Sequence, residues 1–254
     1  MSKHTFAFYK EDISAFVVEK QSGDLLSFKD SDLWNRILNI VRLRAQDHFI
    51  LFDEDINVTI CLHENMVNKK RFVIGTITEI QKNKKLIPEI TLGIGLLKKE
   101  AWEQVAFIAA QMGATNVVPL LLDAVQRKSG GPREIERTKK MMIAACEQSK
   151  NFVLPGICEP KELDVLLKIA QDQKDCKKIC FDACANSLLD TLKDIHEKKY
   201  KHIFVLIGCE GGFSDAEMGS IKKSGFDIVS LTPTILRSVE SVAVGLGSIR
   251  STSS

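Results

Sequence analysis

The chain has 254 residues, 44% of them hydrophobic and 27% charged, so it can bury a full core and is not an intrinsically disordered protein. The formal net charge of +2 provides no global field for nucleic acid, and any RNA binding must therefore depend on local basic patches. No apolar run reaches about 18 residues and the N-terminal segment is charged early, which excludes a transmembrane helix and a signal peptide.

The first third of the chain has the pattern of short β segments around one helix. Strands are predicted at Phe16 to Val18, Phe49 to Phe52, Val58 to Leu62 and Arg71 to Gln81, with a helix near Ser31 to Val41. This pattern predicts a small β-barrel. The polar stretch Lys82 to Pro88 ends in a proline and makes the best boundary, so we expect two domains, residues 1–85 and 86–254.

Beyond the boundary, predicted strands and helices alternate. The strands are Glu89 to Leu96, Asn116 to Pro119, Lys178 to Phe181, Ile203 to Ile207 and Phe226 to Leu231, and the longer helices are Lys99 to Met112, Arg133 to Lys150, Lys161 to Asp172 and Asn186 to Lys198. Such alternation predicts an α/β domain with a parallel sheet and helices on both faces. The pattern alone favours a doubly wound sheet without a knot, because threaded chains are very rare.

The segment from Lys201 to Ser214 (KHIFVLIGCEGGFS) joins an apolar strand to a glycine-rich turn. A ligand crevice is expected at the carboxyl end of such a strand. The turn lacks the lysine of a phosphate-binding loop, and Glu210 within it would repel a polyphosphate. A carboxylate among glycines better suits a nucleoside that carries an ammonium or sulfonium group, although an ordinary strand-to-helix turn is the alternative. Ser214 and Glu217 have capping-box spacing at the start of the next helix.

A second element follows the last predicted strand, where the sequence from Leu231 to Ser241 is LTPTILRSVES. Together with GCEGGFSDAE and a helix closed by Gly225, it resembles the C-terminal signature of the RsmE family of 16S ribosomal RNA uridine-N3 methyltransferases, which belong to the SPOUT class. The upstream segments Leu97 to Pro119, Arg137 to Pro155 and Trp34 to Leu43 are also similar to the family. The resemblance covers nearly the whole chain and is most specific between Gly208 and Glu240.

The resemblance implies a C-terminal SPOUT-type parallel sheet with a trefoil knot, preceded by a small PUA-like β-barrel that helps to hold RNA. It implies a methyltransferase dependent on S-adenosylmethionine (SAM) that acts on N3 of a uridine in 16S rRNA of the small ribosomal subunit. It further implies a homodimer. The apolar residues Val239, Val242, Ala243 and Leu246 also exceed what one helix face needs, which favours a dimer through the C-terminal domain, and no membrane partner is expected. Seven cysteines, an odd number without the spacing of a disulfide scaffold, favour a reducing compartment, and we expect a cytoplasmic protein.

The resemblance also assigns site residues. The expected cofactor-binding residues are Phe181, Ile207, Gly208, Glu210, Gly211, Gly212, Leu231, Thr232, Ile235 and Leu236. Arg237 is expected to stabilise negative charge on the base, since a guanidinium stays charged and donates two parallel hydrogen bonds. Glu240 either orients Arg237 or accepts the N3 proton, and both roles remain open. The expected RNA-binding residues are Arg42, Lys69, Lys70, Arg71 and Arg137.

This sequence departs from the family pattern at several positions. Cys209 replaces a proline of the glycine turn, Thr232 and Thr234 replace a glycine and an arginine, and one extra residue separates Arg237 from Glu240. Arg36, Gln111 and Asn151 stand where the family has histidine, glutamate and arginine. Two alternatives therefore stay open: a catalytically silent RNA-binding protein on the same fold, and an unrelated nucleotide-using α/β enzyme.

A metal site has little support from the sequence. The five histidines lack the spacing of metal ligands. Cys176, Cys180 and Cys184 are spaced like a ladder of ligands, but Cys180 falls within a predicted strand, so we interpret them as buried thiols.

Overall fold

A computed structural model describes residues 5–63, 71–125 and 131–252. It separates into two compact units, each with its own sheet. The first unit comprises the residues up to Lys84 together with Cys146–Val153, and the second comprises Lys85–Ala145 together with the residues from Leu154 onward. In the described part of the chain, no helix combines the length and apolar character needed to span a bilayer.

The first unit is built on a five-stranded sheet. Its elements are β1 (Phe6–Tyr9), α1 (Ile13–Phe16), β2 (Leu25–Lys29), α2 (Ser31–Asn35) with a π-helical turn (Arg36–Ile40), β3 (His48–Phe52), β4 (Ile56–Leu62) and β5 (Phe72–Lys82). The strand order is β1-β3-β4-β5-β2, with β1 and β3 parallel and the other neighbours antiparallel. Strands β1 and β2 are its two edges and do not pair with each other in the described residues, so the predicted barrel is not closed here.

The strand predicted at Phe16 to Val18 is wrong. Its first residue ends helix α1, and Val17 caps that helix. The carboxylate of Asp53 accepts a hydrogen bond from the Ser14 backbone N–H at 2.7 Å, and Ile13 is fully buried, so tertiary contacts outweigh the β propensity of this apolar run. Strands β1 and β2 were not predicted, because each is only four or five residues long.

The second unit is an α/β structure. Its elements are β6 (Glu89–Gly95), α3 (Lys99–Gln111), β7 (Asn116–Leu121), α4 (Pro132–Ser149, whose last turn belongs to the first unit), β8 (Gly156–Ile157), β9 (Lys161–Glu162), α5 (Leu163–Asp172), β10 (Cys176–Ser187), α6 (Leu188–Lys198), β11 (His202–Ile207), α7 (Asp215–Lys223), β12 (Asp227–Ser230) and α8 (Ser238–Ser251). Every strand pair is parallel, in the order β12-β10-β11-β6-β7-β8, and β9 also pairs with β7. The predicted parallel sheet with alternating helices is confirmed.

Strand β11 lies in the middle of this sheet, between β6 and β10. Its residues from Ile203 to Ile207 are all buried, as expected for a strand without alternation that is covered on both faces. Strand β10 is longer than predicted, and helix α6 starts two residues later than predicted because the Ser187 hydroxyl accepts a hydrogen bond from the Leu189 N–H and caps it. The sheet thus brings the ends of β10, β11 and β12 together.

Helix α8 is fixed along its length against the sheet. A Cβ placed on Gly245 would lie 2.4 Å from the Phe181 ring, so the helix needs glycine there to approach β10. Near its end, the Arg250 guanidinium donates hydrogen bonds to the carbonyl oxygens of Pro88 at 2.7 Å, Met112 at 3.1 Å and Gly113 at 2.5 Å. Burial lowers the pKa of Arg250 to about 10.

Candidate functional site

The irregular middle of β10, at Phe181 to Ala183, lines a cavity of about 310 Å³ together with the loops after β11 and β12 and the start of helix α8. All ten residues expected from the sequence to bind a cofactor line this cavity, which we call the first cavity. They are Phe181, Ile207, Gly208, Glu210, Gly211, Gly212, Leu231, Thr232, Ile235 and Leu236. The structure therefore brings together residues that lie up to 55 positions apart (236 minus 181), at the edge of the sheet where ligands bind in α/β folds.

The glycine turn forms one wall of the first cavity with its backbone. Gly212 has φ of +73°, a conformation that glycine adopts without strain, and its N–H donates to the Cys209 carbonyl at 3.0 Å. A Cβ on Gly208 would lie 2.9 Å from the Gly212 Cα, so the turn folds tightly on itself. A ligand in the cavity would meet main-chain atoms here.

The start of helix α7 holds this turn in place. The capping box predicted from the sequence is confirmed: Ser214 N–H donates to the Glu217 carboxylate at 2.7 Å, and Glu217 N–H donates to the Ser214 hydroxyl at 3.3 Å. The Ser214 hydroxyl also donates to the Asp123 carboxylate at 2.7 Å, and Asp123 N–H donates to Glu217 at 2.9 Å. These carboxylates therefore serve to tie the loop after β7 to the turn.

The electrostatic character of the first cavity is acidic. Asp182 and Glu210 both line it, and its lining contains no lysine or arginine among the described residues. A polyphosphate would meet two carboxylates in this lining, whereas a cationic ligand is favoured. The apolar side chains of Phe181, Ile207 and Leu231 supply walls for a flat ring. The carboxylates and apolar side chains of this cavity thus fit a nucleoside that bears a positive charge.

Sequence reasoning missed several residues of the first cavity, namely Asp182, Ala183, Cys209, Phe213, Thr234, Ser238 and Ser241. All seven lie in the segments already singled out or directly after a predicted strand, so their position along the sequence could have found them. Ser238 begins helix α8 and donates from its hydroxyl to the Gly208 carbonyl at 3.0 Å. This bond joins the helix to the glycine turn.

The two threonines that depart from the family pattern bind each other. The Thr232 hydroxyl donates to the Thr234 carbonyl at 2.6 Å and lies 3.4 Å from the Thr234 hydroxyl. Both residues line the first cavity. Where the family pattern has a glycine, this chain therefore has a loop that is held by the hydrogen bonds of the Thr232 side chain.

Arg237 and Glu240 do not line the first cavity. The Arg237 guanidinium donates to the Glu240 carboxylate, and the Arg237 side chain is 87% exposed. This hydrogen bond lowers the pKa of Glu240. Arg237 lines an adjacent cavity of about 570 Å³, the second cavity, whose wall partly coincides with that of the first. The pair is thus placed beside the first cavity, with Glu240 oriented toward Arg237.

The expected RNA-binding residues fall on both units. In the first unit, Arg42 and Arg71 are exposed, with φ of 60° and 61°, while Lys69 and Lys70 lie outside the described residues. In the second unit, Arg137 is half-exposed and forms an ion pair with Glu103, Nε to Oε1 at 2.7 Å. The structure thus supplies accessible cations in each unit.

Among the described residues, Cys209 is the one cysteine that lines the first cavity. The described residues contain no group of histidine, cysteine, aspartate and glutamate side chains that could hold a metal ion. Burial raises the pKa of the Cys180 thiol to about 12, so it stays protonated and unreactive in the strand.

This chain is similar to known proteins in sequence and in structure. A family model described as an RNA methyltransferase domain matches residues 83–249. Ribosomal RNA small subunit methyltransferase E of Buchnera aphidicola subsp. Acyrthosiphon pisum is 27% identical over 218 residues, covering 85% of this chain and 80% of that protein. The protein of the same name from Synechocystis sp. is 26% identical over 211 residues, covering 83% of this chain and 68% of that protein.

Solved structures show the same fold over the full length. A ribosomal RNA small subunit methyltransferase E from Neisseria gonorrhoeae, bound to S-adenosyl methionine, has a TM-score of 0.77 at 19% identity and covers 98% of each chain. A protein from Legionella pneumophila, solved with bound SAM, has a TM-score of 0.76 at 23% identity and also covers 98% of each chain.

Proposed function

The chain belongs to the RNA methyltransferase domain family, and from this membership we propose that it is a SAM-dependent methyltransferase that methylates N3 of a uridine in 16S rRNA of the small ribosomal subunit. The matched domain covers residues 83–249, which contain both cavities. The curated relatives are named as small-subunit rRNA methyltransferases, and this chain covers most of their length. The uridine-N3 specificity fits that name.

The observation that carries the proposal is the acidic first cavity, lined by the middle of β10 and by the loops that follow β11 and β12. Its backbone wall at Gly208–Gly212 lets a ligand approach closely, and Asp182 and Glu210 favour a positive charge. SAM has such a charge on its sulfonium and its ammonium group, together with an adenosine that suits the apolar walls. When bound, SAM supplies an activated methyl group. The absence of basic residues from the described lining speaks against a nucleotide-using enzyme of another class.

Arg237 and Glu240 are proposed as the catalytic pair. As N3 loses its proton, negative charge develops on the oxygens of the uracil ring, and the Arg237 guanidinium can donate hydrogen bonds to it. Glu240 accepts a hydrogen bond from Arg237 and lines neither cavity, which favours an orienting role over proton acceptance. The pair thus provides charge stabilisation beside the cofactor.

The first unit is proposed as a PUA-like RNA-binding domain, with the 1–85 boundary of the sequence interpretation. Arg42, Lys69, Lys70 and Arg71 would contact phosphates there, and Arg137 would do so from the methyltransferase domain. The target base must leave its stack to reach the methyl group.

A trefoil knot in the second unit is proposed from the resemblance to SPOUT proteins. In this chain β12 pairs with β10 on the side opposite to β11, and the Ser238 hydroxyl bonds to the Gly208 carbonyl after β11. These contacts are compatible with a C-terminal segment tucked through a loop.

The activity test is nucleoside mass spectrometry of small-subunit rRNA from cells with and without the protein. We expect one 3-methyluridine to disappear without it and to return when the gene is restored. Calorimetry with SAM separates the alternatives, because a catalytically silent RNA-binding protein would bind SAM weakly or not at all. Unchanged 3-methyluridine in the deleted strain would contradict the proposal.

A homodimer formed through the C-terminal domain is also proposed, in the cytoplasm, where a ribosomal substrate and reduced thiols are expected. Val242 and Leu246 of helix α8, counted from the sequence as surplus apolar residues, are buried within the chain. The support comes instead from Val244, which is 38% exposed on the same helix.

We expect light scattering at micromolar concentration to give the mass of a dimer and Val244→Glu to give a monomer, since a charge would be buried at the interface. Val165→Glu, at a position 45% exposed on helix α5, is the matched control and should leave the dimer intact. A monomeric wild-type protein would rule the dimer out.

A further inference from the structure

The second cavity shares a wall with the first. Five residues line both: Cys209, Glu210, Ile235, Leu236 and Ser238. The rest of the second cavity comes from the end of β6 and the start of helix α3 on one side, and from Arg237 and Val239 on the other. The two cavities therefore adjoin at these residues, and a group bound in one would lie beside a group bound in the other.

The chemistry of the second cavity matches a planar ring with a polar edge. Leu97, Ala101 and Leu236 supply apolar surface, and Ile235 is the most exposed large apolar side chain of the described residues. The polar groups are Glu100, Gln104, Glu210, Arg237 and Ser238. Apolar faces with hydrogen-bonding groups at the rim are what a base extruded from its stack requires.

Glu210 is the one carboxylate of the shared wall. The Lys98 backbone N–H lies 3.4 Å from its Oε1 atom, which orients the carboxylate at the start of helix α3. The charged and titratable groups around it are Asp182 in the first cavity, Glu100 and Arg237 in the second, and the Cys209 thiol in the shared wall. Glu240, by contrast, is engaged by Arg237 outside both cavities.

We infer that the second cavity receives the target uracil and that Glu210 accepts the proton from its N3 atom. This inference rests on the proposed function. Its geometric basis is that Glu210, alone among the acidic residues that line the described cavities, lines both of them and so lies where the two ligands would meet.

The reaction balances with these groups. The N3–H bond breaks, its electron pair stays on nitrogen, and the proton goes to Glu210. That pair forms the bond between N3 and the methyl carbon, while the electrons of the broken sulfur–methyl bond remain on sulfur, which becomes a neutral thioether. Arg237 lies on the second-cavity side, where charge develops on the uracil oxygens during this transfer. The carboxylate loses its proton to solvent after the product leaves.

Glu210→Gln tests the proton transfer. A lost general base typically costs about 100-fold or more, so we expect a single-turnover rate at saturating SAM reduced by roughly that factor at neutral pH. The wild-type rate should be nearly flat between pH 6 and 8, whereas the variant's rate should rise about tenfold per pH unit, because hydroxide must then take the proton. If the variant only weakens SAM binding and keeps both the rate and the flat profile, Glu210 merely holds the cofactor and the inference is overturned.

Ala101→Phe tests the base subsite without relying on turnover. The larger ring should fill the second cavity and weaken the binding of uridine 5′-monophosphate, followed by NMR titration, by at least tenfold, while calorimetry shows unchanged SAM affinity. Ala183→Phe is the matched control in the first cavity and should show the reverse. Equal uridine 5′-monophosphate affinity in wild type and Ala101→Phe would overturn the subsite. A wild-type protein that neither binds SAM nor methylates rRNA would instead refute the proposed function.

Discussion

Replacing Arg237 with alanine is expected to reduce the single-turnover rate of methyl transfer by roughly 100-fold or more, the scale of a lost preorganised donor, while SAM affinity changes little. The physical reason is that the guanidinium lines the second cavity and not the first, so its loss removes charge stabilisation without removing a cofactor contact. The measurement is a single-turnover assay on the rRNA substrate beside a SAM titration of the same variant.

Arg237→Lys should restore only part of the rate, since a point charge lacks the planar pair of donors. Arg133→Ala, at an exposed arginine in the first turn of helix α4, is the matched control and should turn over normally. Near-normal turnover of Arg237→Ala would remove Arg237 from the mechanism and shift attention to Arg137.

Gly212→Val is expected to abolish SAM binding and to leave the fold intact. At φ of +73° a β-branched side chain is strained by about 1–3 kcal/mol, and the turn that forms the cavity wall must change shape to relieve that strain. A Cβ on Gly212 would meet no atom within 4 Å, so the substitution introduces no clash in the core. Calorimetry with SAM and circular dichroism on the same sample measure both parts.

Gly219→Val is the matched control for this prediction. Gly219 lies in helix α7, and a Cβ there would meet open space as at Gly212. Its φ is not positive, so the substitution should change only the helix propensity at this position. We expect this variant to bind SAM like the wild type. Normal SAM affinity of Gly212→Val would mean that the glycine turn serves only to reverse the chain.

The second unit was largely predictable, because its strands are buried on both faces and give unbroken apolar runs such as Ile203 to Ile207. The first unit was less predictable from the sequence. Its edge strands β1 and β2 are short, and the apolar run near Phe16 belongs to a helix held by Asp53, a contact 39 residues away in the sequence. Local pattern does not contain contacts of that kind.

The candidate site divides in the same way. The glycine turn and the strand ends were visible as motifs, since turn chemistry depends on local residue type. Which side of the loop Arg237 faces was not visible, because that depends on the packing of helix α8 through Gly245 and Ser238. The partner of Glu240 was likewise visible only as one of two roles in the sequence, and the structure adds that its carboxylate accepts a hydrogen bond from Arg237.

The central position of β11 bears on the synthesis of the chain. Strand β11 starts at residue 202, whereas its neighbour β6 ends at residue 95, so about 100 residues separate their emergence from the ribosome. At 5–20 residues per second, β6 remains without β11 for on the order of 5–20 s. During that time Ile90, Leu92 and Ile94 lack the strand with which they later pair. The nascent domain therefore passes through a stage with an unpaired, strongly apolar strand edge. Slow translation would prolong this stage, and a shortage of chaperones would leave the edge unprotected against aggregation.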